Sequence, residues 1–313
     1  MGKKPRTKAR TEAAAPAGEV GPRQPCPCGS GRRYRACHGS ASGPAVAYVA
    51  RPFAGLAGEA DLIALREIVP AATAPLSLRS STDRSVVLCS LLPMAAPALV
   101  RQDGTVWLGL QVQHGFGDPS RDLAAVLEKA LESEPGSIVG LTDAPGAGPR
   151  LQDLVEDLPL DVTVHEGFEF WVADVDDPAG TMAASLEQAN AAAHPTVRLA
   201  SVDAAYWTDV GTREHLRWVM PHDEERLLTA LARLHAAGKD VLVEGARLVG
   251  MFRAHGLLVP VWDLPLGTGA AVLEEPAAAF AKALGEALAD ESALTPEERS
   301  ARSGLAGRQL TIR

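Results

Sequence analysis

Three of the chain's four cysteines crowd into "PCPCGSGRRYRACHG", from Pro25 to Gly39, and a histidine follows the last of them. So short a stretch, with a single aromatic residue, cannot bury enough apolar surface to hold a shape by itself. A crosslink or a metal ion has to fix it. The order is Cys-x-Cys, eight residues, then Cys-His. Cys26, Cys28, Cys37 and His38 thus offer three thiolates and an imidazole, a donor set that suits tetrahedral zinc. Pro25 and Pro27 hold Gln24 and Cys26 extended. Gly29 and Gly31 supply the backbone freedom that a reversal needs.

Other readings of these cysteines stand beside that one. A disulfide is disfavoured in a reducing compartment, and a Cys-x-Cys bridge would be strained. A redox pair usually reads Cys-x-x-Cys. The spacing also departs from common zinc fingers, whose paired ligands are two to four residues apart. If zinc is bound, four protein ligands leave no open position. The metal is then structural, and its binding supplies the segment's folding free energy, on the order of 10 kcal/mol.

The stretch closely resembles the SEC-C motif, the zinc knuckle at the C-terminus of the preprotein translocase. Pro25, Cys26, Cys28, Gly29-Ser30-Gly31, Tyr34 and Cys37-His38-Gly39 carry the match. The resemblance implies zinc on Cys26, Cys28, Cys37 and His38, and a docking role toward a chaperone, the ribosome or anionic lipid. Arg32, Arg33, Tyr34 and Arg35 would then present a basic partner-binding face. No motor accompanies the knuckle, because Gly-x-x-x-x-Gly-Lys-Ser/Thr is absent. The chain as a whole resembles an uncharacterised family of high-GC bacteria, with a SEC-C knuckle ahead of a body of unknown function.

Charge divides the chain in the same place. Residues 1–39 hold nine Lys/Arg and two Glu, so the total of −9 splits into +7 there and −16 beyond. A basic arm on an acidic body favours polyanions or an acidic protein face. Contact with nucleic acid would therefore run through residues 1–39. No apolar run is long enough to span a bilayer; Val86–Val100 is short and broken by Pro93 and Pro97. The basic N-terminus has no apolar region of the secretory type. These features point to the cytoplasm.

Composition and pattern give the domain order: a disordered basic arm over 1–24, the knuckle over 25–39, a linker over 40–57, a body over 58–290 and a fraying tail over 291–313. The body reads as α+β. A helix is expected over Asp61–Val69 and a buried strand over Val86–Leu92. A hairpin turns at Asp103-Gly104, and a helix follows, capped by Asp118 with Pro119 in its first turn. Strands are expected at Val162–Val164, Phe168–Val172 and Leu216–Met220, and helices over Thr181–Ala193 and Asp223–Ala237. A second hairpin turns at His255-Gly256, and a helix opens at Pro276. The two hairpin–helix units suggest a duplication with halves at 58–150 and 151–290.

Motifs for chemistry in the body are sparse. Cys89, inside "VVLCSLL", reads as a core thiol. "PHDEERLL" reads as a helix start whose acids face the positive end of the dipole. "DVDDPAG" lacks the ligand pattern of a calcium loop. "LGTGAA" is a glycine loop without phosphate-loop context. "HGFGD" is the remaining candidate: His114, Gly115, Gly117 and Asp118 lie between a strand and a helix N-terminus, where an anion is welcome. Three functions follow. The chain is a zinc-knuckle adaptor for a protein or ribonucleoprotein partner, an enzyme with its site in the body, or a nucleic-acid binder through its arm.

Overall fold

The computed structural model describes residues 23–24, 33–34, 48–172 and 181–308. The chain forms two compact units, Met1–Ala50 and Arg51–Arg313. In the first, the Tyr34 amide donates to the Gln24 carbonyl at 2.8 Å, so the backbone closes on itself across the motif. The calcium-loop candidate at 174–180 lies outside the described residues.

The second unit is α+β, with two sheets and seven α-helices among the described residues. Helix α1 (Glu59–Glu67) turns Leu62, Ile63 and Leu65 inward. Strands β1 (Ala72–Pro75), β2 (Val86–Cys89), β3 (Ala98–Val100), β4 (Val106–Gly109), β5 (Ile138–Val139) and β6 (Thr163–Val164) make the first sheet, in the order β5-β3-β4-β2-β1-β6. The β3–β4 hairpin turns where expected, with Gly104 at φ +86°. β2 runs parallel to β4, and the other pairs in this sheet are antiparallel. Helix α2 (Pro119–Glu132) covers the sheet through Leu123, Val126 and Leu127, and the short α3 (Leu151–Leu154) buries Leu151 beside it.

After helix α4 (Thr181–Ala192), the strands β7 (Thr196–Arg198), β8 (Ala205–Asp209), β9 (Glu214–Trp218), β10 (Arg247–Ala254) and β11 (Leu257–Leu264) form an antiparallel second sheet, ordered β10-β11-β9-β8-β7. Helices α5 (Glu224–Ala236), α6 (Glu274–Ala289) and α7 (Pro296–Gly307) complete the unit.

The second sheet is buried on both faces. Along β11, Leu257, Val259 and Val261 join the core built by α1 and the first sheet. Leu258, Trp262 and Leu264 alternate with them and join a second core with α5, α6 and α7. A period of two, apolar on both sides, is what a central layer demands. Pro260 interrupts this strand without cost to the ladder. The β9 pairing runs from Leu264 to Val261 and resumes only as a bridge at Leu258, so no partner needs an amide from Pro260.

Four expectations need correction. Residues 51–57, read as linker, belong to the body: Phe53 is fully buried and Leu56 is in the core. Phe168–Val172 is not a strand but a 3₁₀ turn over Glu169–Trp171. The tail does not fray after Thr295, because α7 is a twelve-residue helix with Leu305 buried. The duplication meets a topological mismatch. The orders β1-β2-β4-β3 and β8-β9-β11-β10 correspond, yet β2 runs parallel to β4 while β9 runs antiparallel to β11. The proposed halves also share one core, in which Tyr206, Phe252 and Val259 pack with α1 and the first sheet.

Candidate functional site

The polar clusters that the sequence offers are mostly taken up by structure. Asp223 caps α5 by accepting from the Arg226 amide, while Glu224 and Glu225 pair with Arg253 and Arg302. The glycine loop at 266–271 is gathered by Glu214, which accepts from the amides of Gly267 and Gly269 and from Trp207 Nε1. Cys89 is fully buried, and burial pushes its thiol far up. A nucleophile would need the opposite environment.

"HGFGD" lies on the rim of a cleft of about 280 Å³ in the body. α2 supplies Pro119, Asp122, Leu123 and Val126 to one wall, and the chain around β5 supplies Ile138, Gly140 and Leu141. The turn before β3 supplies Met94 to Pro97, and the loop after β4 supplies Val112 to His114 and Phe116. Arg66, from the last turn of α1, reaches into it. The walls are apolar, with Asp122 and Arg66 as the charged groups.

Where an anion was expected, at His114, Gly115, Gly117 and Asp118, the structure places carboxylates of the chain itself. Asp118 accepts from the Ser120 amide and is gripped by Arg150 through two nitrogens, at 2.8 and 3.0 Å. Asp122 Oδ2 accepts from the Phe116 amide at 2.8 Å. The helix start is thus occupied by two of its own carboxylates, and an incoming anion would be repelled. His114 is exposed.

What the cleft offers is a carboxyl and a guanidinium that do not spend themselves on each other. Arg66 Nη1 donates to the Leu110 carbonyl at 2.5 Å, and its ion pair, at 3.6 Å, is with Glu67. Asp122 Oδ1 takes no hydrogen bond among the described residues. Burial pushes the Asp122 carboxyl above its ordinary range, against the lowering effect of the Phe116 amide. Burial likewise pulls Arg66 below its ordinary value. A cavity with displaced titratable groups is the usual signature of a binding site. Proximity of residues 66 and 122 is a product of the fold, and no sequence spacing could have revealed it.

The rim is strained. Met94 (φ 58°) and Ala95 (φ 51°) are consecutive left-handed residues without being glycine, a conformation that costs about 1–2 kcal/mol per residue. The turn is held by β4: the Gly109 amide donates to the Pro97 carbonyl at 2.8 Å. A Cβ on Gly109 would come within 2.4 Å of the Ala96 carbonyl oxygen, so only glycine lets the turn sit this close. Met94 is consequently held at the cleft's edge, 73% exposed.

Residues 52–313 match the family of unknown function DUF5926. The chain belongs to this family. The DUF5926 match begins one residue after the compact unit does, consistent with Phe53 being core. A separate match to the SEC-C motif covers residues 23–40, so this DUF5926 chain carries the motif that its cysteines suggested. No curated protein and no solved structure matches it. Cys26, Cys28, Cys37 and His38 lie outside the described residues. Of the four residues expected to meet a partner, Arg33 is exposed and Tyr34 is buried, at 7% exposure. No helix among the described residues is long and apolar enough to cross a membrane.

Proposed function

We propose that the chain is a zinc-knuckle adaptor that docks its DUF5926 body onto a cytoplasmic protein or ribonucleoprotein partner. The observation that carries this reading is the SEC-C match at 23–40. The hydrogen bond from Tyr34 to Gln24 supports it, because it draws together the strands of chain that lead to Cys26 and to Cys37. Three thiolates and one imidazole fit a closed structural zinc site. When bound, the ion supplies the crosslink around which this segment folds. Cys26, Cys28, Cys37 and His38 hold it. Tyr34 packs, and Arg32, Arg33 and Arg35 face the partner. With the +7 of residues 1–39, they favour an acidic protein surface or exposed RNA phosphates.

Two measurements test this. Elemental analysis of purified protein should find one zinc per chain, lost in Cys28→Ser. Co-sedimentation with purified ribosomes, at low and moderate salt, should show binding by the wild type and none by Cys28→Ser. A metal-free wild type overturns the zinc site. Equal ribosome binding by both proteins overturns docking through the knuckle. Binding that needs residues 1–24 but not the cysteines would make the arm a nucleic-acid binder instead.

A further inference from the structure

The cleft beside α2 has a composition that restricts what can enter it. Its apolar lining favours hydrocarbon, and its 280 Å³ lies at the small end of ligand sites. Arg66 retains unused donors, and Asp122 retains an unused acceptor oxygen. An anionic head group would gain from Arg66 but face Asp122, and a cationic one the reverse. A neutral group that accepts on one side and donates on the other satisfies both at once. The strained Met94–Ala95 turn is a second, independent pointer, since strain held in place by packing collects at ligand clamps.

We propose that this cleft binds a small amphipathic molecule with a branched or aromatic hydrocarbon body and a neutral carboxamide-type head. The body packs against Met94, Phe116 and Ile138. The head's carbonyl accepts from Arg66, and its N–H donates to Asp122 Oδ1. Ile138 is 59% exposed on the edge strand β5, so the entrance has an apolar lip as well as apolar walls. Met94, unbranched and polarizable, adapts to bodies of differing shape.

The test uses three near-isosteric probes on the full chain: 4-methylpentanamide, 4-methylpentanoate and 4-methylpentanamidinium. Saturation-transfer NMR and chemical-shift titration read their binding at neutral pH. The amide should bind about tenfold more tightly than either charged probe. Leu141→Trp, which fills the cleft from a partly exposed position, should abolish its signal. Asp122→Asn should weaken it severalfold, and Ile138→Lys, on the exposed lip, serves if that variant fails to fold. Absence of amide binding overturns the proposal. So does a charged probe that binds as tightly as the amide, or amide binding that survives Leu141→Trp. None of these outcomes depends on zinc or on the knuckle.

Discussion

Asp61 sits on α1 with both carboxylate oxygens engaged by the second sheet. Arg198 reaches it through two nitrogens, at 3.2 and 3.1 Å, and the Tyr206 hydroxyl donates to it at 2.6 Å. Removing the carboxylate leaves a half-buried guanidinium without its main partner. Asp61→Ala should therefore cost about 3 kcal/mol, and Tyr206→Phe about 1 kcal/mol, by urea unfolding. An Asp61→Ala cost near zero would mean the tie between α1 and the second sheet is ornamental. No sequence pattern announces this cluster. Its members lie 137 and 145 residues apart, and each alone reads as ordinary strand or helix polarity. Asp118, by contrast, was legible, because an acid directly before Pro at a helix start has one common use. In the same loop Asp122, four residues on, was in plain view, whereas Arg150, which holds Asp118, becomes a neighbour only through folding.

Asp122 also gives a pH signature. Burial is the main cause of its raised pKa; Asp118 adds to it, while the Phe116 amide, Arg66 and Arg121 oppose it. The folded chain then keeps a proton that the unfolded chain has released. Stability falls as pH rises from about 4, the unfolded value, to the raised folded value, and the loss is complete above it. Asp122→Asn lacks this titration. The difference in unfolding free energy between wild type and variant should drift against the wild type across that window and level off above it. Urea titrations between pH 4 and 8 read it, and a difference independent of pH would contradict the burial of this carboxyl.

At the level of elements, the sequence showed most where a pattern was long. Both hairpins, α2, α4 and α5 stand close to where periodicity and turn residues put them. The short strands β1, β5, β7 and β8 were not legible. Ala-Thr-Ala-Pro in β1 carries little strand propensity and pairs only because β2 and β6 flank it. Phe168–Val172 failed for a different reason. A strand would bury alternate residues, but Phe168 and Trp171 are the buried ones, three apart, and Glu169 turns outward to Asn190. That spacing belongs to a 3₁₀ turn. α7 was read as a fraying tail: its capping box, Thr295 with Glu298, is a local signal, but Leu305 against the α5 side is not. Thr295→Ala should cost about 1 kcal/mol in thermal or urea unfolding. An unchanged midpoint would mean α7 contributes nothing to the cooperative unit. Gly109→Ala should be the more damaging change, because the added methyl displaces the Ala96 carbonyl and with it the Met94 turn. A structure of that variant with the turn unmoved would contradict the role given to Gly109.

On the scale of the whole chain, two cores share one sheet, so the body should unfold as one unit even though it looks like two hairpin–helix halves. Tyr206, Val259 and Phe252 belong to the same core as α1, whereas Leu258 and Trp262 belong to that of α5 and α6. A break between them would expose a full sheet face. The SEC-C segment is set apart from this body along the chain. The compact units divide between Ala50 and Arg51, and the two family matches divide between residues 40 and 52. A structural metal that folds only its own segment should leave the larger unit indifferent to its removal. Chelation of zinc, or Cys28→Ser, should speed hydrogen exchange across residues 23–40 and leave the melting midpoint of 52–308 where it was. A marked fall in that midpoint would mean that the knuckle is built into the body, and docking would then have to be explained without an independent module.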